Sequence, residues 1–383
     1  MIYFDNSATT VVNQQVLATH IKVTEDIWGN PSSLHNLGNK AASLLNQARK
    51  QIAEVMQVQP SEIYFTSGGT EGDNWAIKGT AIEKREFGRH IILSAIEHPA
   101  VKESAKQLEL LGFDITYLPV GKDGRVTVEA LAQAIRPDTI LVSIMAINNE
   151  VGTIQPIAEI GHLLENYPRI HFHVDAVQAV GKMDLALGAN SRIDIATFSG
   201  HKFHALRGTG FLYLKKGRRI APLLSGGGQE SNGRSGTENV AGIAAMAKAL
   251  RLIRTDETEK IAKQREIHDF LHQQLEQLPN VVLFSGCNQA QQAPHILCFA
   301  LKGIRGEVMV HALEKEAIYL STTSACSSKS KATSSTLGEM NVPTSLAECA
   351  VRLSLSDEST MTEAKQFIQV FQQLCQTFSG IHS

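Results

Sequence analysis

From about residue 40 to residue 215, short apolar runs alternate with stretches whose apolar residues recur at helical spacing. That alternation confines the chain to an α/β architecture, a mostly parallel sheet covered by helices. Leu37, Ala41, Leu44, Ala48, Ile52 and Val55 fall on one helical face. Residues 62–66 then read as a short strand, followed by a helix after Thr70. Further strands are expected over 91–94, 114–118, 140–145, 171–174, 194–198 and 210–214, with helical patterns between most of them. Beyond the glycine-rich Ser225-Gly226-Gly227-Gly228 come two long helical segments over about 239–277. The remainder, with strands near 280–284, 296–301 and 351–354, reads as a smaller α+β domain, and no internal repeat is visible.

With 383 residues the chain is long enough for two or three domains. Its 43% hydrophobic and 19% charged content excludes the signatures of disorder, collagen and coiled coil. Thirty-six Lys plus Arg against thirty-eight Asp plus Glu leave a formal charge of -2, so no general attraction to nucleic acid or anionic membrane is expected. No apolar run reaches the ~18 residues of a membrane span, and Met1-Ile2-Tyr3-Phe4-Asp5 lacks the regions of a signal peptide. The expected location is the cytoplasm. Cys287, Cys298, Cys326, Cys349 and Cys375 are odd in number and show no CxxC spacing, which argues against a disulfide framework or a metal site. In a reducing compartment each is first read as a small buried hydrophobe. Cys326 is the exception: it lies in Ser321 to Ser335, where ten of fifteen residues are Ser or Thr, a composition that reads as a mobile loop with an exposed thiol or as a solvated linker.

Three local patterns could carry chemistry. Thr66-Ser67-Gly68-Gly69-Thr70-Glu71 lies between strand and helix, where small residues and free N–H groups can hold a phosphate; read alone, it is first a plain capped turn. Asp175, in Phe172-His173-Val174-Asp175-Ala176-Val177-Gln178, ends an apolar strand, where α/β proteins bind ligands and a carboxylate can face a protonated ring nitrogen or merely cap a turn. Thr197-Phe198-Ser199-Gly200-His201-Lys202 puts a lysine just past the next strand end, fit for a Schiff base although most lysines are solvated. A phosphate cup, an Asp for a pyridinium nitrogen and a following lysine together match the needs of pyridoxal 5′-phosphate, PLP.

Over essentially the whole chain these residues resemble the NifS/IscS-type cysteine desulfurases of the class V aminotransferase group, of the long-loop type. The resemblance runs through Tyr3 to Thr10 (YFDNSATT), Gly29 to His35 (GNPSSLH), Glu97-His98-Pro99-Ala100, Asn148 to Gly152 (NNEVG), Asp175 to Gln178, Ser199 to Lys202, Arg234 to Asn239 (RSGTEN) and Ser324-Ala325-Cys326-Ser327-Ser328. It implies the PLP fold-type I architecture and a homodimer with active sites at the subunit interface. The large cofactor domain would span 15–255, and the small domain 256–383, joined by the N-terminal segment 1–14. Carried onto this sequence, it implies Lys202 as Schiff-base lysine and base at the substrate Cα. Asp175 would pair with the ring nitrogen and Gln178 with the ring oxygen. Gly69, Thr70, Ser199 and His201 would bind the phosphate, with Thr237 reaching the neighbouring subunit's phosphate. His98 would stack on the ring as acid or base, and Arg352 would grip the substrate carboxylate by a two-pronged bond. Asn149 and Asn30 would orient the ring and the carboxylate.

The resemblance also gives the loop thiol a use. With L-cysteine joined to the cofactor, its Sγ is open to attack by a thiolate, because the carbon left behind is stabilised; Cys326 is the expected attacker. The products would be L-alanine and a persulfide that a flexible loop carries to an acceptor protein, an iron–sulfur scaffold or a tRNA 2-thiouridylase. Two other readings stay open: a PLP lyase or aminotransferase that needs no thiol, and a weakly active docking protein for sulfur transfer. Two departures stand out. After Lys202 the family pattern Gly-Pro-Lys is replaced by Ala205-Leu206-Arg207, so Ala205 must adopt a turn that glycine adopts more readily. Lys329-Ser330-Lys331 after the cysteine would suit an acidic acceptor, or is simply solvated.

Overall fold

The computed structural model describes residues 1–323 and 335–381. Its strands are β1 (Ile2–Tyr3), β2 (Ile63–Thr66), β3 (His90–Ser94), β4 (Asp114–Leu118), β5 (Thr139–Ser143), β6 (His171–Asp175) and β7 (Ile195–Ser199), followed by β8 (Gly210–Leu214), β9 (Val281–Leu283), β10 (Ile296–Leu301), β11 (Ile318–Tyr319), β12 (Ser321–Thr322) and β13 (Ala350–Ser354). The main sheet has the order β2-β8-β7-β6-β5-β3-β4, and only β8 runs against its neighbours. Every residue of β3, β5, β6, β7 and β8 is buried; β5 and β8 therefore appear as nearly unbroken apolar runs, whereas β6 (HFHVD) buries His171 and His173 through bonds to Thr80 and Ser143. The helix Gly69–Lys84 packs across β5, β6, β7 and β8, and the stacked rings of Phe198 and Phe211, with centroids 4.4 Å apart, lie in the main core.

The expected helix from Leu37 to Val55 is present as Asn36–Val55, and its Ala41, Ala48 and Ile52 are buried as the spacing implied. Its first turn is capped by His35, whose Nδ1 accepts from the amide of Gly38 at 3.2 Å. The two long helical segments are Val240–Arg254 and Glu257–Glu276.

A second, antiparallel sheet has the order β12-β13-β10-β9, and Phe299, Phe367 and Phe371 centre its separate core. The N-terminal segment joins this core: Phe4 is fully buried against Phe367, and β1 pairs in parallel with β11. The strand expected over 140–145 stops at Ser143, and β1, β11 and β12 were not anticipated, nor were the helices Gln14–Asp26 and Met361–Ile381. Among the described residues no helix is long and apolar enough to cross a membrane.

Candidate active site

Because β2, β3, β5, β6 and β7 run the same way, their C-terminal ends share one edge of the main sheet, and the sequence motifs leave the sheet there. The turn after β2 delivers Ser67, Gly68, Gly69 and Thr70 to the start of the helix Gly69–Lys84. Gly68 has φ 149, and a Cβ on Gly69 would come within 2.8 Å of Val177 Cγ2, so glycines let the backbone approach the turn after β6. Gly69, Thr70, Ser199 and His201 line one pocket, together with Ser67 and Thr9. Helix-terminal amides and hydroxyls of this kind suit a phosphate. Burial, with Lys202 and Arg207 adding to it, pushes His201 down to about 4, so its imidazole is neutral at neutral pH.

Asp175 is the last residue of β6, buried, with Oδ1 accepting from the amide of Val177 at 3.0 Å. Burial raises its carboxyl above the usual range and outweighs the opposing pull of His98 and Lys202. Asp73 and Glu97 lie buried nearby, raised first by burial and then by the charge of Asp175. This edge therefore holds three acids whose ionised form is opposed by burial, and a protonated ring nitrogen against Asp175 would favour the ionised form. His98 caps the helix Pro99–Glu109, its Nδ1 accepting from the amide of Ala100 at 3.1 Å, which leaves the ring proton on Nε2. Burial lowers its pKa against the attraction of Asp175.

Lys202 stands three residues beyond β7, and its Nζ donates to the carbonyls of Ser7 and Ala8, the latter at 3.0 Å. Gln178 donates through Nε2 to the same Ser7 carbonyl at 3.0 Å, and its Oε1 lies 3.3 Å from His295 Nε2. Arg352, in β13 and only 5% exposed, donates to Asp5 Oδ1 and to the carbonyl of Asn149, both at 3.0 Å, while its Nε is buried without a hydrogen-bond partner among the described residues. An unpaired buried guanidinium N–H is costly and suits an incoming carboxylate. The phosphate cradle, the buried acid and the lysine together fit PLP.

Asn30 and Thr237 do not line this pocket. Both are exposed in the single chain, and Asn30 Oδ1 closes a surface turn onto the amide of Ser32 at 2.9 Å. Cys326 lies outside the described residues, as do Lys329, Ser330 and Lys331. Both ends of their segment are fixed beside the site, however. Ser321 of β12 is in register with Arg352, and Thr336, after the segment, donates to Glu150 Oε1 at 2.9 Å.

Of the other cysteines, Cys298 and Cys349 are buried and Cys375 is half-buried. Cys287 corrects the expectation of burial: it is exposed, because it follows Gly286 in the loop between β9 and β10, outside either core. The turn after Lys202 also differs from expectation. Its left-handed residue is His204, with φ 65, and Ala205 is not in that region. Ala205 is instead buried, its amide bonded to the carbonyl of Gly200 at 3.0 Å. Arg207, read in the sequence only as a departure, lines the phosphate pocket. Thr9 and Glu97 stand in motifs of the resemblance but had no role there, and Asp73 carries no local signal, since only the fold brings it next to Asp175.

The chain matches the family model described as Aminotransferase class-V over residues 2–367. It is 55% identical over 382 residues to a NifS/IcsS protein homolog of Lactobacillus delbrueckii subsp. bulgaricus, covering 100% of this chain and 99% of that one. It is 41% identical to the cysteine desulfurase IscS of Methanosarcina thermophila, covering 98% of this chain and 92% of that one. Among solved structures, a NifS-like protein superposes with a TM-score of 0.91 at 37% identity, covering 99% of each chain.

Proposed function

This chain belongs to the class V aminotransferase family, among its PLP-dependent cysteine desulfurases of the NifS/IscS type, and from that membership we propose that it converts L-cysteine to L-alanine and loads the sulfur onto Cys326 as a persulfide. The observation that carries the reading is the meeting of Asp175, Lys202 and the phosphate pocket at one sheet edge, with Arg352 standing where the segment bearing Cys326 leaves β12. Bound PLP supplies an electron sink for carbon centres that lose a proton or a sulfur substituent.

The residues divide the work by chemistry. Gly69, Thr70, Ser199 and His201 would hold the phosphate. Gln178, bonded to the Ser7 carbonyl, would donate to the ring oxygen, and Asp175 would favour a protonated ring nitrogen. Arg352 orients the substrate carboxylate, with Asn149 beside it. Lys202 would hold the cofactor and move the proton at the substrate Cα, and His98, carrying its proton on Nε2, would serve as a second acid–base group. The Cys326 thiolate attacks the substrate Sγ: the S–S bond forms as Cβ–Sγ breaks, and protonation of the remaining carbon skeleton gives alanine. The step balances without an outside oxidant.

The active unit of this reading is a cytoplasmic homodimer, in which Thr237 reaches the neighbouring phosphate and Asn30 assists in carboxylate binding. Each protomer divides into a large domain, 15–255, and a small domain, 256–383, joined by residues 1–14. The persulfide passes to an acceptor protein, an iron–sulfur scaffold or a tRNA 2-thiouridylase. The test is alanine formation by the PLP-loaded enzyme given L-cysteine, beside Lys202→Ala. Alanine from the wild type alone supports the reading, whereas bound cofactor without alanine in the wild type overturns it.

A further inference from the structure

His204 is 7% exposed and sits two residues beyond Lys202. Its Nδ1 lies 2.8 Å from the carbonyl of Val11, and its Nε2 lies 2.8 Å from Asp357 Oδ1. A carbonyl and a carboxylate can only accept, so two bonds of this length require both ring nitrogens to donate. Burial works to raise Asp357, yet the bond and charge of His204, with Lys182 and Lys260, hold its carboxyl at about 2, so the partner is ionised at neutral pH.

The same residue stitches the backbone. Its amide donates to Thr10 Oγ1 at 2.8 Å, and its carbonyl accepts from the amide of Asn13 at 3.1 Å. Thr10 returns two bonds to the carbonyl of His201, from its amide and its hydroxyl, each at 2.9 Å. Residues 7–13 thus lie along the lysine turn, and this segment supplies both carbonyls that hold Lys202 Nζ. The left-handed φ of His204 is disfavoured for a side-chain-bearing residue, and all four of its polar atoms are bonded in that conformation. The groups facing this point are Asp357 and Glu358 from the turn before the helix Met361–Ile381, and Lys260 and Lys263 from the helix Glu257–Glu276. The buried Lys182 lies behind them, bonded to Gln264.

We propose that His204 is a clamp that positions Lys202, fastening the N-terminal segment to the lysine turn and both to Asp357. The inference rests on Lys202 as the catalytic lysine. The experiment uses full-length, PLP-loaded enzyme labelled with ¹⁵N-histidine, with His204→Gln assigning the signal. Both His204 ring nitrogens are expected to show hydrogen-bonded signals, to Val11 and to Asp357; a ring nitrogen without a hydrogen bond overturns the proposal. In His204→Gln, the pH midpoint of the cofactor's visible band is expected to move by at least about half a unit, about threefold in proton affinity. The kcat for alanine is expected to fall about tenfold, with KM for cysteine within about twofold of wild type. A lowered melting temperature with an unmoved midpoint marks a merely structural residue and overturns the proposal. Asp357→Asn reads the same quantities if His204→Gln does not fold. Absence of alanine in the wild type would sink the desulfurase reading while leaving the nitrogen spectrum and the titration to decide this one.

Discussion

Asp175 is buried with Asp73 and Glu97, and the charge each would carry is opposed by desolvation. A cationic ring nitrogen relieves that opposition at Asp175, so the carboxylate is worth more to the loaded enzyme than to the empty one. Asp175→Asn is therefore expected to keep the phosphate pocket and bind PLP, while alanine formation falls about a hundredfold or more. Cofactor absorbance and an alanine assay check it, and a rate within threefold of wild type would contradict it. Asp357 gives a pH dependence. Its carboxyl is held at about 2 against an ordinary 3.8, so the unfolded chain takes up a proton near pH 4 that the folded chain refuses until lower pH. The stability it contributes, about 2 kcal/mol, is present above pH 4 and is lost as pH falls toward 2. Thermal melts should show the wild type's advantage over Asp357→Asn at pH 6 narrowing by pH 2.5.

At the scale of elements, the helix Gly69–Lys84 presses on β7 through Gly72, where a Cβ would lie 2.5 Å from Thr197 Cγ2. Gly72→Val is expected to cost about 1–3 kcal/mol and to lower the melting temperature accordingly. Thr197 also bonds His173 at 3.0 Å beneath Asp175, so PLP affinity should weaken in the same variant. Elements differ in how far they could be read in advance. Strands buried on both faces were legible where burial leaves an apolar run, and 210–214 and 296–301 match β8 and β10 residue for residue, as 114–118 matches the half-buried β4. The strands β1, β11 and β12 have two residues each, too short for any periodicity, and they exist through pairing alone. The helix Gln14–Asp26 buries only Val16 and Val23, too sparse a stripe to stand out. Met361–Ile381 does carry a helical stripe, Ala364, Phe367, Ile368 and Phe371, which was left unassigned.

Across the whole molecule, the site is assembled from segments far apart in the chain. Asp5, Asn149 and Arg352 meet from the N-terminus, the main sheet's edge and the second sheet, and no sequence spacing encodes that meeting. Asp175 and Lys202 were legible because each sits beside a strand end with its own motif. The ties of Lys202 to Ser7 and Ala8 were not, since a backbone carbonyl has no residue signature. The second sheet brings β12 alongside Arg352, so the chain enters the segment of Cys326 at the substrate's expected anchor. The exposed Cys287 lies in the loop between β9 and β10 and serves as an internal control for thiol reactivity. The most direct test is peptide mass mapping of PLP-loaded enzyme after a single turnover with L-cysteine. The account predicts one added sulfur on the Cys326 peptide, none on the Cys287 peptide, and no alanine above background from Cys326→Ala. Added sulfur confined to another cysteine, or undiminished alanine from Cys326→Ala, would contradict it.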